Sequence, residues 1–387
     1  MNRLIFTVFL TVFAVLAGCG VEEREERAAS VLTSSQHTVD ERDATSPLYA
    51  KRGFSNERCE ETDQANDEMA DTEEAENEPI EIVFAGDVMF ERSIEDTIQE
   101  HGPHYPFEEV RPCIQAADYA IVNLETAVTE GGEPEPKQFT FRTGPESLEG
   151  LAYAGFDAVS LANNHAMDYG KEGLKDTFHA LDAAGIGYVG AGVDKNEAYE
   201  PHVIEIGGTV IHLHAYSQVL PTTDWYAREE QPGIASGYQK QRVTDAIEAS
   251  DQVADYVLVY MHWGTERTLE PEEATREYAL KMTEAGADAV IGAHPHVLQG
   301  VEYVNGKPVA YSIGNFLFPD YVSGVTAETG LLSVELEDGE ARLSIEPFYI
   351  QGDRIIDGGE AYRSALLDQL EDRSFGVKIN SQGLILP

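Results

Sequence analysis

The stretch Ile80-Glu81-Ile82-Val83-Phe84-Ala85-Gly86-Asp87 decides the fold. β-branched and aromatic residues dominate it and it closes on a Gly-Asp pair, so it predicts a buried strand ending at Gly86-Asp87, with a carboxylate where the strand stops. Short apolar runs of the same kind recur at 119–124, 158–161, 203–206, 210–216, 256–261 and 289–291. Helical periodicity separates several of them. Residues 171–184 put Leu174, Phe178 and Leu181 on one face, and 272–285 do the same with Tyr278 and Met282. Strands alternating with helices argue for an α/β layered fold. Beyond Tyr303 the pattern turns to strand pairs: Asn305-Gly306 is a hairpin turn, and the runs 331–336 and 341–345 flank Glu337-Asp338-Gly339. The C-terminal part is therefore expected to be mainly β, and 131–136 reads as an irregular loop.

Upstream of Pro79 the chain is of another kind. Met1, Asn2 and Arg3 precede an apolar or small run up to Ala17, too short for a permanent span of roughly 20 residues, which reads as a secretory signal peptide over residues 1–18. Leu16-Ala17-Gly18-Cys19 matches a bacterial lipobox, so Cys19 is expected to become a lipidated N-terminus holding the protein on the extracytoplasmic face of the cell membrane. Residues 20–79 hold 18 acidic and 6 basic side chains, a net charge of −12, with almost no large apolar residue between Glu57 and Glu78. Such a segment cannot bury enough apolar surface to offset its ordering entropy, so residues 19–79 are expected to be a disordered, self-repelling linker to a domain at 80–387.

The whole chain of 387 residues carries 70 acidic against 26 basic side chains, a net charge of −44, with 42% hydrophobic and 25% charged residues. That composition is too polar for a multi-span membrane protein and repels phosphate backbones, which argues against a nucleic-acid partner. Three cysteines, Cys19, Cys59 and Cys113, are too few and too scattered for a disulfide framework or a zinc knuckle. A bond between Cys59 and Cys113 stays open, because nothing in the sequence sets their separation.

Residues with metal-ligand chemistry appear where the apolar runs end. Asp87 follows the first; Asn123 and Glu125 close the second; Asn163, Asn164 and His165 follow the third; His262 ends the run at 256–261; and His294 and His296 follow 289–291. Ligands in open α/β sheets bind at the carboxyl ends of strands, so these scattered groups are placed to converge. Each alone also fits a local role: Asp87 a turn or cap, Glu125 a solvated carboxylate, Asn163-Asn164 a turn, His262 a satisfied core histidine. His294-Pro295-His296 is the strongest signal, since residues two apart in an extended segment point the same way.

Phe84-Ala85-Gly86-Asp87-Val88-Met89, Asn123-Leu124-Glu125, the run Ala162-Asn163-Asn164-His165-Ala166-Met167-Asp168, His262-Trp263-Gly264 with Glu266, Gly292-Ala293-His294-Pro295-His296, and Tyr311-Ser312-Ile313-Gly314-Asn315-Phe316 together resemble the successive motifs of the CapA, or PgsA, capsule and poly-γ-glutamate biosynthesis proteins. That family is in turn similar to calcineurin-like metallophosphoesterases. The resemblance implies a four-layer α/β/β/α sandwich with a metal site of one or two divalent ions at one edge of its sheets. It implies Asp87 on one metal, Glu125 bridging, Asn164, His262 and His294 on the second metal, His296 on the first, and His165 facing the leaving group as general acid. Mixed carboxylate, amide and imidazole ligands suit Mn, Fe or Zn. The phosphoesterases place a histidine two residues after the first aspartate, where this chain has Met89, a poor ligand for hard cations.

Two functions follow as expectations. One is a metal-dependent hydrolase acting at the cell surface on a phosphoester or on the γ-amide of an anionic polymer such as poly-γ-glutamate. The other is a non-catalytic accessory protein of polymer synthesis and export, working with a capsule synthase complex. A transporter's substrate-binding lipoprotein lacks support, since no pair of similar lobes is visible. Arg92, Arg142 and Arg267, each near a motif in sequence, are candidate contacts for an anionic substrate and equally fit surface ion pairing.

Overall fold

A computed structural model describes residues 79–387. The signal peptide, the lipidation site Cys19, the linker and Cys59 lie outside the described residues; Cys113, packed against the core, is disulfide-bonded. Among the described residues two large sheets lie face to face. The first has a parallel half, Ile80–Val88, Tyr119–Leu124, Ala158–Ser160 and Gly187–Val189, joined through Ile80–Val88 to the antiparallel strands Glu328–Glu337, Glu340–Ile350 and Leu384–Leu386. The second sets Thr209–Ser217, Tyr256–His262, Ala289–Ala293 and Lys307–Ala310 in parallel, with an antiparallel hairpin at each edge.

Alternation along the strands explains the layers. In Tyr256–His262, Leu258 and Tyr260 point into the core shared with the first sheet, where the Tyr260 ring meets Phe84 edge-on at 5.5 Å and its hydroxyl donates to the Ala85 carbonyl at 2.6 Å. Val257, Val259 and Met261 point the other way, onto Val243 and Ile247 of the helix Lys240–Asp251 and Tyr278 and Met282 of the helix Glu273–Glu284. On the first sheet's other side lie the helices Ser93–His101, Leu148–Ala154 and Gly170–Ala184, seated through Ile94, Leu151, Leu174 and Phe178. Helix, sheet, sheet, helix is the four-layer α/β/β/α order that the resemblance implies.

Most of the expected strands and helices appear within one or two residues of their forecast ends, the runs 331–336 and 341–345 belonging to the longer strands Glu328–Glu337 and Glu340–Ile350, and Asn305-Gly306 forms the hairpin turn, both residues with positive φ. Two expectations are corrected. The helix Glu360–Arg373 interrupts the β-rich C-terminal part; only Leu366, Leu367 and Leu370 mark its apolar side, too narrow a stripe to announce a helix. The first strand does not stop at Gly86-Asp87 but runs on to Val88. Its register slips between Ala85 and Asp87, so Gly86 is a bulge that re-aims Asp87 while pairing continues.

Gly86 has to be glycine. A Cβ there would overlap the Gly314 carbonyl oxygen, and one on Gly292, in the second sheet, would overlap the Tyr311 carbonyl oxygen. The segment from Tyr311 to Asn315 thus passes directly over the central strands of both sheets. The Ile313 N–H donates to the Gly292 carbonyl at 2.9 Å, the Gly314 carbonyl accepts from the Asp87 N–H at 3.0 Å, and the chain then enters the first sheet as Asn315–Leu317.

Candidate metal centre

That crossing brings the carboxyl ends of both sheets together. Glu125 follows the strand Tyr119–Leu124, and its N–H donates to the Val88 carbonyl at 2.8 Å, which sets it beside Asp87. Asn123, two residues earlier, donates from Nδ2 to Asp87 Oδ1 at 2.8 Å and lies 3.3 Å from His262 Nδ1. From the second sheet come His262, the last residue of its strand, and His294, the first after Ala289–Ala293. The His294-Pro295-His296 segment is not extended, as the sequence suggested: both histidines have positive φ, 95° and 56°, because the His294 N–H turns in to donate to Asp87 Oδ2 at 3.2 Å. His296 Nδ1 lies 3.1 Å from Asp87 Oδ2 and 2.9 Å from Asn315 Oδ1. Among the described residues the other non-glycine positive φ values fall on Arg92, Arg267, Asn305, Asp338 and Asp353. Asparagine and aspartate tolerate that conformation in turns, so the backbone strain concentrates on two histidines and two arginines, three of which (Arg267, His294 and His296) are joined through one loop contact described below.

Two ligand groups share Glu125. Donor atoms of Asp87, Glu125 and His296 lie within 4.8 Å of one another, as do those of Glu125, His262 and His294. Asn164 Oδ1 lies 2.6 Å from His262 Nε2, and His262 Nε2 lies 3.5 Å from Glu125 Oε1. Glu125 is completely buried, yet neither carboxylate oxygen has a hydrogen-bond partner, and buried His294 Nδ1 has none either. Buried polar atoms are almost always paired because an unpaired one loses its hydration without replacement. Orphaned acceptor atoms on a carboxylate and an imidazole whose residues share one ligand group fit divalent cations.

The electrostatics agree. Burial, reinforced by neighbouring Asp87, pushes the Glu125 carboxyl well above the usual carboxylate range. Burial holds His262 well below the ordinary histidine value and His294 down to about 3, so both are neutral and keep a lone pair for a metal. His296 is the exception: burial opposes its charge, but Glu125 and Asp87 outweigh it and raise the imidazole to about 9. In the cation-free protein, a proton on His296 stands in for the missing positive charge.

His165 lies just outside the ligand groups. Its Nδ1 is 2.7 Å from Asp168 Oδ2, Asp168 forms an ion pair with Lys137, and Lys137 Nζ lies 3.2 Å from His165 Nδ1. Burial lowers its affinity for protons, partly offset by Asp168. Asn163 is a bracket: its Oδ1 accepts from the N–H groups of His165 and Ala166 at 2.9 and 2.8 Å, and its Nδ2 donates to the Leu124 carbonyl at 2.8 Å. Of the Asn163-Asn164 pair, only Asn164 has its amide oxygen against a candidate ligand. Lys137, just past the loop read at 131–136, carried no signal; Asp168, three residues after His165, carried a faint one.

Met89 is buried in a satellite apolar cluster with Phe141, Phe318, Ala327 and Ile350 and packs as core. Arg92 stands over the rings of Tyr321 and Phe141, at 5.4 and 5.9 Å, and the Tyr321 hydroxyl, held above its ordinary value mainly by burial, feels Arg92, Glu125 and Arg267 together. Arg267, whose N–H donates to the Pro295 carbonyl at 2.7 Å, borders the candidate centre. The Arg142 guanidinium is turned to the Tyr169 ring, 4.7 Å away.

Residues 81–320 match the family described as "Bacterial capsule synthesis protein PGA_cap". The "PGA biosynthesis protein CapA" of Bacillus subtilis (strain 168) is 33% identical over 275 residues, 69% of this chain and 70% of that one. The "Capsule biosynthesis protein CapA" of Bacillus anthracis is 31% identical over 300 residues, 74% of this chain and 72% of that one. A Mycobacterium tuberculosis (strain ATCC 25618 / H37Rv) protein named "Probable polyglutamine synthesis accessory protein Rv0574c" is 32% identical over 224 residues, 54% of this chain and 59% of that one.

The orphaned carboxylate gives a test with a definite sign. Its folded-state pKa lies above the unfolded value near 4.5, so the folded cation-free protein binds more protons there and Glu125 lowers stability as pH rises above that value. In EDTA, Glu125→Gln is expected to melt at a higher temperature than the unsubstituted protein at pH 8, with the gap shrinking toward pH 5. In Mn²⁺ the order is expected to reverse, because only the carboxylate gains from the cation. Calorimetric melting in both buffers checks it; a lower melting temperature for the variant in EDTA at pH 8 contradicts it.

Proposed function

The chain belongs to the bacterial capsule synthesis protein family, and from that membership we propose that it works at the cell surface as a metal-dependent hydrolase, cleaving a phosphoester or the γ-amide of an anionic polymer such as poly-γ-glutamate. One observation carries the hydrolase reading: the buried, unpartnered Glu125 carboxylate between two histidine-containing ligand groups. Burying a carboxylate with both oxygens unpaired is costly, and a bound cation would relieve that cost.

Asp87, Glu125 and His296 would hold one divalent ion, and Glu125, Asn164, His262 and His294 the other, with Mn, Fe or Zn suited to the mixed ligands. Bound there, such ions supply an activated water and neutralise charge on both the entering and the leaving oxygen. The chain's own residues do the rest. Asn123 holds Asp87 by its Oδ1, which fixes the carboxylate's orientation. Asp168 occupies His165 Nδ1, which leaves Nε2 to face the leaving group, and its carboxylate would favour the imidazolium that has to form before Nε2 can give up a proton. Arg92, Arg142 and Arg267 would offset the repulsion between a polyanion and so acidic a protein.

The lipobox supports a further part of the reading, a lipid anchor at Cys19 on the extracytoplasmic face of the membrane, with residues 19–79 as the linker to the domain. Cys19→Ser should lose the N-terminal lipid by mass spectrometry; an unchanged lipid mass would exclude that anchor.

The name of the mycobacterial relative favours a second reading, a non-catalytic accessory protein of polymer synthesis and export acting with a capsule synthase complex. Two variants separate the readings. His165→Ala is expected to keep its metal while turnover falls about 10²- to 10⁴-fold, the usual share of a positioned proton donor. His294→Ala is expected to lose metal and turnover together. Metal analysis and hydrolysis assays on folded variants measure both. If the metal-loaded unsubstituted protein cleaved neither phosphoesters nor poly-γ-glutamate while its deletion still abolished capsule, the accessory reading would stand instead.

A further inference from the structure

Asp87, Glu125 and His296 would offer a cation three ligands, and Met89, packed with Phe141 and Phe318, offers none. A carboxylate stands on the open side of the same space. A donor oxygen of Glu266 lies within 4.8 Å of donor nitrogens on both His294 and His296. Glu266 is exposed, and among the described residues its carboxylate takes no hydrogen bond and no ion pair. His294 belongs to the same group, and its Nδ1 is buried and unpartnered.

The loop carrying Glu266 is held rigidly. It leaves the strand at His262, turns at Gly264 with φ 83°, and is pinned where the Arg267 N–H, at φ 60°, donates to the Pro295 carbonyl at 2.7 Å. Thr268 Oγ1 donates back to the Thr265 carbonyl at 2.6 Å, and Gln299 Nε2 to the Thr268 carbonyl at 2.7 Å. Strained backbone on Arg267 and on both histidines meets at this one contact, so the loop fixes the Glu266 backbone relative to the imidazoles.

We infer that Glu266 completes the cation site around His296 in place of the ligand absent at Met89, capping the pair of ions from the solvent side opposite Glu125. The inference rests on the metal-centre reading above. A carboxylate is the harder donor and suits Mn²⁺ better than a thioether does. Three carboxylates against two divalent ions still leave one positive charge, enough to attract an anionic substrate. The exposed carboxylate is also the ligand an incoming anion displaces most readily.

Isothermal titration of the EDTA-stripped full chain with Mn²⁺, checked by metal analysis, tests it. The unsubstituted protein is expected to bind two ions; Glu266→Gln should keep one and weaken the other at least about tenfold, the loss typical of disturbing a metal's ligand environment. Glu270→Gln, an exposed neighbour outside the ligand groups, should match the unsubstituted protein. Two ions bound by Glu266→Gln with unchanged affinities would overturn the inference. So would a single ion in the unsubstituted protein; in either case loss of binding in His294→Ala would leave the metal-centre reading standing. An unsubstituted protein that binds no Mn²⁺ would sink both.

Discussion

The candidate metal centre depends on one close passage of backbone. Between Tyr311 and Asn315 the chain lies over Gly86 of one sheet and Gly292 of the other, so near that neither position has room for a Cβ. This contact brings the carboxyl ends of two separately hydrogen-bonded sheets to a common edge. From one sheet it presents Asp87 and Glu125, from the other His262 and the strained His294-Pro295-His296 turn, and from the crossing segment itself Asn315, which holds His296. Without the bulge at Gly86, Asp87 would follow the regular alternation of its strand.

The same passage explains how the protein tolerates the cost of its centre. An unpaired, fully buried carboxylate, an unpartnered buried nitrogen on His294 and left-handed backbone on both His294 and His296 are each unfavourable in the cation-free state. They persist because the core beneath over-determines them: the interdigitated faces of two sheets, covered by helices on both outer sides, leave the site residues nowhere else to go. Stability is held by the layers, and the candidate ligands carry unpaired acceptor atoms that a cation would satisfy.

Much of this was legible in the sequence because the informative residues are local and periodic. The strand runs announced the layers, and the polar residues at their ends announced the edge where Asp87, Glu125, His262, His294 and His296 meet. What stayed hidden depends on contacts between distant segments. Nothing around Gly86 says that a carbonyl more than two hundred residues away occupies its Cβ position. Lys137 reaches Asp168 from an irregular loop, and Glu266 sits on an exposed turn like many other glutamates in so acidic a chain. The helix Glu360–Arg373 was missed for the opposite reason, its apolar stripe being too narrow to rise above its polar neighbours.

The central claim is that Glu125 joins two cation positions into one centre. Electron paramagnetic resonance of the full chain loaded with two equivalents of Mn²⁺ tests it most directly, because two Mn²⁺ ions bridged by a carboxylate are exchange-coupled and isolated ions are not. The account predicts a coupled spectrum that collapses to that of a single ion, or vanishes, in Glu125→Ala. An uncoupled spectrum in the unsubstituted protein, or a coupled one that survives Glu125→Ala, would contradict it.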